Sequence, residues 1–294
     1  MKKKQVLLLL AFIALFTKVS AQHYEVETQS FVYKQVDTVK LAMEVYRPSL
    51  QGNAKLPAIV FFFGGGWVSG TIKHFELQAR YLASRGMVAF CVDYRVKSRH
   101  NTSPFECVKD ANSAMRYIRE NANELGVDKN KIVAAGGSAG GHLAACTATI
   151  ETVNESSDNM AVSPAPNALV LFNPVVDTGK RGYGQKKLKG REFEISPVHH
   201  IKKGVPPTLI MHGKDDTTVP YENVVRFKNI MKQFGNKCKL VGYKNQVHGF
   251  FNFNKNPKYF KKTLRKTELF LEKLGYLSGS SWLNSYYKSL LRKE

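Results

Sequence analysis

The sequence predicts an α/β protein with a mostly parallel central sheet, helices on both faces of that sheet and a small cap-like insert. Short, wholly apolar runs alternate with segments whose apolar residues recur at helical spacing, the pattern of strands buried on both faces and joined by helices. Gly136-Gly137-Ser138-Ala139-Gly140 stands between one such run and one such segment, and G-x-S-x-G there holds a serine exposed on a sharp strand-to-helix turn. Gly64-Gly65-Gly66 ends an earlier apolar run, so a second glycine-rich loop is expected at a strand end.

The chain has 294 residues, 43% hydrophobic and 23% charged, which suits one domain of the larger α/β kind. Met1-Lys2-Lys3-Lys4, an apolar stretch over 6–16 and Val19-Ser20-Ala21 form the charged start, short apolar core and small-residue cleavage site of a signal peptide. Residues 1–21 are therefore expected to be removed, leaving a single domain over 22–294 that is exported to the periplasm or beyond. No later segment is long and apolar enough for stable membrane insertion.

Residues 30–36 and 39–48 read as two strands. Residues 56–63 are a continuous apolar strand, 75–84 a helix and 87–94 the next strand. Ser103-Pro104-Phe105-Glu106 starts a helix with a serine cap, a proline in the first turn and a glutamate completing a capping box. Cys107, Ala111, Ala114 and Ile118 continue it at helical spacing, and Gly126 closes it. A strand over 131–135 enters the serine turn and a helix over 141–149 leaves it. Residues 151–166 are polar and irregular, a surface loop. Strands at 168–172 and 208–211 bracket a basic, glycine-punctuated insert over 177–203, expected to form a small cap or cleft wall. A helix at 221–234, a strand at 239–243 and a helix at 259–274 complete the core. The tail over 276–294 sets Trp282, Leu283, Tyr286, Tyr287, Leu290 and Leu291 among basic residues; it packs on the domain or lies at an interface as an amphipathic helix.

Formal net charge is +21, and loss of Lys2, Lys3, Lys4 and Lys18 with the signal leaves +17. Such a field concentrates anions, and acidic polysaccharide is one candidate. No zinc-finger spacing or RNA-binding aromatic motif accompanies the charge, so nucleic acid is excluded as a partner. Cys91, Cys107, Cys146 and Cys238 lie in apolar-periodic segments without C-x-x-C spacing, and buried free thiols are expected.

Ser138 is the candidate nucleophile. A serine needs a base for its proton and hydrogen-bond donors for the oxyanion of the intermediate. Val247-His248-Gly249 follows the last strand and supplies a histidine on a loop that can reach the serine turn. His142 is tied to the helix after Ser138, His199 and His200 sit in the insert, and His74 and His100 belong to no motif. His212-Gly213-Lys214-Asp215-Asp216 follows a buried strand and offers two aspartates.

These motifs resemble the α/β-hydrolase superfamily, near the hormone-sensitive-lipase-like esterases and the bacterial acetyl-xylan and feruloyl esterases. Phe63-Gly64-Gly65-Gly66 is similar to the H-G-G-G loop of that group, with Phe63 where histidine usually stands. His212 to Pro220 is similar to its H-G-x-x-D-x-x-V-P pattern, which selects Asp216 to orient the histidine, with Asp215 as the neighbouring alternative. Asp93-Tyr94-Arg95, the serine turn through His142 and Ser196-Pro197 extend the likeness. The resemblance implies catalysis by Ser138, Asp216 and His248, in that chain order, and an oxyanion hole from the amides of Gly65, Gly66 and Ala139. It implies no metal or organic cofactor. No helical cap precedes the first strand, which suits an open cleft. The expected activity is a secreted serine esterase acting on short-acyl esters, acetyl groups on a polysaccharide or small esters. A prolyl-oligopeptidase-like peptidase, a long-chain lipase and a non-catalytic binding module are the alternatives.

Overall fold

The protein is described by a computed structural model covering residues 23–50, 52 and 54–292. The signal-peptide reading of 1–21 lies outside the described residues. Eight strands form one sheet: β1 (Val26–Val36), β2 (Val39–Pro48), β3 (Leu56–Phe62), β4 (Val88–Val92), β5 (Val127–Gly137), β6 (Ala168–Phe172), β7 (Thr208–Gly213) and β8 (Cys238–Tyr243). Their order across the sheet is β1-β2-β4-β3-β5-β6-β7-β8. β1 and β2 pair antiparallel, as do β2 and β4; every pairing from β4 through β3 to β8 is parallel. The helices are α1 (Glu76–Ser84), α2 (Lys97–His100), α3 (Pro104–Glu120), α4 (Ala139–Thr149), α5 (Tyr221–Gln233), α6 (Pro257–Lys273) and α7 (Leu283–Leu291).

Alternation along the buried strands divides the core. Val60, Val88, Phe90 and Leu171 face one way and pack with Met115 and Ile118 of α3, Leu143 of α4 and Phe227 of α5. Ile59, Phe61, Ala89 and Val170 face the other way and pack with Leu82 of α1, Phe260 and Leu264 of α6 and Tyr286 of α7. Period-two side chains on a sheet covered on both faces require this partition.

The capping box of α3 is present: Glu106 accepts from the Ser103 N–H at 2.8 Å and Ser103 Oγ accepts from the Phe105 N–H at 3.3 Å. The helix ends at Glu120, not at Gly126, because a turn over 121–126 intervenes and Gly126 (φ 61°) instead leads into β5. The loop over 151–166 is less free than its polarity implies. Glu155 pairs with Lys34 and Arg95 at 3.0 and 2.7 Å, and Asp158 pairs with Arg116 of α3 at 2.9 Å. Lys34 and Arg95 also meet Asp110, fully buried on α3.

The tail packs on the domain. Leu283 and Tyr286 are buried, Trp282 Nε1 donates to Ser84 Oγ at 3.0 Å, and the Tyr286 hydroxyl donates to Leu77 O at 2.8 Å. All four cysteines are free thiols, three of them buried. No helix among the described residues is long and apolar enough to cross a membrane.

Candidate active site

Ser138 joins β5 to α4 with φ 55° and ψ −119°, a conformation that strains any side chain by about 1–3 kcal/mol. Its surroundings hold it there. The Ser138 N–H donates to Phe172 O at 3.0 Å, and its carbonyl accepts from the N–H groups of His142 and Val175 at 3.0 and 3.2 Å. Glycine flanks it because strand and helix nearly touch: a Cβ on Gly140 would overlap the carbonyls of Phe62 and Phe63. The helix begins at Ala139, two residues before the position read from sequence. Gly140 and Gly141 fit inside its first turn because they present no Cβ to Phe62 and Pro174.

His248 lies in the loop after β8. Its Nε2 is 2.9 Å from Ser138 Oγ and its Nδ1 is 2.7 Å from Asp216 Oδ2. A carboxylate can only accept, so Nδ1 carries the hydrogen and Nε2 is left to accept from the serine hydroxyl. Asp216 follows β7 and is buried, whereas Asp215 is exposed. Asp216 Oδ1 accepts from the N–H groups of Thr218 and Val219, both at 2.9 Å. His212 Nε2 lies 3.3 Å from Asp216 Oδ2 and donates to Val219 O at 2.9 Å. Burial opposes ionisation of Asp216, but hydrogen bonds from His212, His248 and Val219 outweigh it and hold the carboxyl well below its ordinary range.

The glycine loop follows β3. Gly65 and Gly66 have φ of 132° and 61°, values that glycine adopts without strain. The amides of Gly65 and Gly66 donate to no acceptor among the described residues, and the Ala139 amide begins α4, where the first N–H groups have no partner within the helix. Phe63, in the place of the usual histidine, is buried and stacks on Tyr94 at 4.0 Å, and the Tyr94 hydroxyl donates to Phe63 O at 2.7 Å. An aromatic pair braces the loop there.

A cavity of about 290 Å³ opens onto Ser138, bounded by the glycine loop, His248, His74, Tyr183 and Phe251. His74 belongs to no motif, yet its Nδ1 accepts from the Gly64 N–H at 2.9 Å and its Nε2 donates to Asn252 Oδ1 at 2.8 Å. Burial lowers its pKa, with His248 and Lys255 adding to the effect against the Asn252 hydrogen bond. Asn252 in turn donates to Gly249 O at 3.0 Å, and Asn173 accepts from the Gly249 N–H at 2.9 Å. These residues tie the glycine loop to the His248 loop. No local pattern in the sequence distinguishes them, because their partners lie up to 178 positions away. The other histidines weighed from the sequence are engaged elsewhere: His100 Nδ1 accepts from the Val96 N–H at 3.1 Å, His142 Nε2 donates to Ile195 O at 2.6 Å, and His199 and His200 brace the insert.

With this geometry in hand, the similarities to known proteins are specific. The family described as BD-FAE matches residues 43–183. Thermogutta terrifontis esterase 2 phosphoramylated by tabun is 45% identical, with TM-score 0.83 over 86% of this chain and 97% of that one. The propionate-bound form of the same esterase is 44% identical, with TM-score 0.81 over 88% and 97%. The acetylxylan esterase of Xylanibacter ruminicola is 29% identical over 76% of this chain and 46% of its own length. An isoprenylcysteine alpha-carbonyl methylesterase of Arabidopsis thaliana is also 29% identical, over 75% of this chain and 56% of its own. The chain spans about half the length of the curated relatives it matches.

Proposed function

Because this chain belongs to the α/β-hydrolase esterases and is a serine ester hydrolase, we propose that it removes short acyl groups, acetyl above all, from a polysaccharide outside the cytoplasm. The observation that carries the mechanism is the His248 imidazole bridging Ser138 and Asp216 beside unengaged amides. Ser138 Oγ attacks the ester carbonyl carbon while its proton passes to His248 Nε2. The carbonyl oxygen becomes an oxyanion and accepts from the amides of Gly65, Gly66 and Ala139. Collapse of the intermediate breaks the bond to the alcohol, which leaves with the proton from His248. Water then attacks the acyl carbonyl as His248 takes its proton, and collapse of the intermediate breaks the bond to Ser138 Oγ, which receives that proton from His248 as the acid leaves. Asp216 holds Nδ1–H throughout and stabilises the imidazolium.

The modest size of the cavity favours a short acyl group, and the propionate- and butyrate-bound forms of the Thermogutta esterase support that reading. The acetylxylan esterase supports a glycan as the alcohol. Export rests on the features of residues 1–21.

The test combines labelling with product analysis. A fluorophosphonate should label the protein at Ser138, and Ser138→Ala should abolish labelling and lower kcat on 4-nitrophenyl acetate by several orders of magnitude (roughly 10⁴-fold or more). Acetate release across a panel of native acetylated polysaccharides identifies the substrate. Labelling that survives the substitution would overturn the mechanism, and absence of acetate from every polymer would overturn the substrate.

A further inference from the structure

A second cavity, of about 440 Å³, abuts the serine pocket at Gly66, which lines both. Three distant segments build it: the loop after Gly66, the stretch from Lys97 of α2 to Pro104 of α3, and the insert around Lys186, Lys187 and Lys189. Its wall contains four lysines and no aspartate or glutamate. The nearby acids Glu106 and Glu192 do not line it: Glu106 accepts from the amide and hydroxyl of Ser103, and Glu192 Oε1 from Gln185. Elsewhere on the insert Arg191 pairs with Glu194 and Lys202 with Glu151, whereas Lys97, Lys186, Lys187 and Lys189 form no ion pair among the described residues.

Packing explains why these charges gather. Leu188 is buried, 2% exposed, and pins the strip between its flanking lysines, which stay in solvent. Lys187 is tied to the glycine loop. Its Nζ donates to Gly66 O at 2.9 Å and lies 5.0 Å from the centre of the Tyr183 ring, so one cation is fixed where the two cavities meet. Asn101 lines the same wall with a side-chain amide suited to sugar hydroxyls.

We propose that this cavity binds an anionic sugar, a carboxylate- or sulfate-bearing unit next to the one whose ester faces Ser138. The inference rests on the esterase reading of the serine pocket and adds to it the substrate class: an acylated acidic glycan. Unpaired lysines converging on one concave wall hold a fixed anion better than the diffuse positive field of the surface does.

Two measurements test it. In the first, wild type and the Lys186→Gln/Lys189→Gln variant are compared on acetylated oligogalacturonate, an acetylated sulfated oligosaccharide and acetylated xylo-oligosaccharide of matched length. The ratio of kcat/KM for the anionic over the neutral substrate should fall about tenfold in the variant, taking roughly two- to fivefold per exposed charge. Preference for the first or second oligomer tells carboxylate from sulfate. An unchanged ratio, or no anionic preference in wild type, overturns the proposal. In the second, calorimetric titration with deacetylated oligogalacturonate, sulfated oligosaccharide and xylo-oligosaccharide reads binding without chemistry. Saturable binding of an anionic oligomer that weakens in the variant supports the cavity even if no acetate is ever released, and that combination would fault the esterase reading alone. Equal binding of charged and neutral oligomers overturns the cavity.

Discussion

Asp216 sits at the centre of the candidate site and is buried. Two backbone amides and two imidazoles converge on its carboxylate, whereas Asp215 stands exposed one residue away. Asp216→Asn should lower kcat about 10⁴-fold, since an amide in that place favours the wrong imidazole tautomer. Asp215→Asn should leave kcat within twofold (roughly the ±0.5 kcal/mol of an ordinary surface change). Steady-state kinetics on 4-nitrophenyl acetate reads both. His74 acts at one remove, because its Nδ1 holds the Gly64 amide and so shapes the loop that presents Gly65 and Gly66. His74→Ala should lower kcat by roughly ten- to a hundredfold, part of the full effect of one oxyanion donor, with a smaller change in KM. His74→Asn, whose side-chain oxygen can accept from Gly64, should recover most of the loss. Equal loss in both variants would mean that His74 serves packing alone.

Between one secondary-structure element and the next, the sequence was legible wherever the signal was local. The bounds of β2 and β6 match the strands read over 39–48 and 168–172, and the capping box marks the start of α3. The first two residues of α4 were hidden, since Ala139 and Gly140 read as part of the serine turn until Phe62 is seen against Gly140. The tail left two readings open, and α7 is packed. Its Leu283 and Tyr286 are buried with Tyr81 of α1 against α6. Truncation after residue 278 should therefore lower Tm by several degrees or more, given the loss of at least two buried large side chains at about 1.5–3 kcal/mol each. A thermal melt followed by circular dichroism checks it, and an unchanged Tm would refute the packing role.

For the molecule taken together, a neutral histidine sealed in the core links stability to pH. Burial lowers His142 to about 4 from its ordinary 6.5, against the opposing hydrogen bond to Ile195. Between those values the unfolded chain binds a proton that the folded protein does not. Stability contributed by this group is thus fully present above about pH 6.5 and falls as pH drops toward 4, by about 3 kcal/mol across the window. Urea denaturation at pH 7 and pH 5 should show the decline, and His142→Gln should flatten it. An equal pH dependence in the variant would assign the decline to other groups. The cation-rich insert has its own place in this picture: the folded chain brings 186–189 beside Lys97, and neither stretch names the other in the sequence.

Chain-local chemistry was already written in the residues: the alternation of buried strands and helices, the glycine-flanked Ser138, the glycine loop after β3, and the loops carrying Asp216 and His248. Each depends on a few consecutive positions, so spacing and side-chain type suffice to find it. Contacts across the fold were decided only on folding: the His74–Asn252 bridge, the clamp of Glu155 on Arg95, and the meeting of two cavities at Gly66. Those depend on which surfaces the parallel sheet brings together, and pairing at a distance leaves no periodic trace in a single chain.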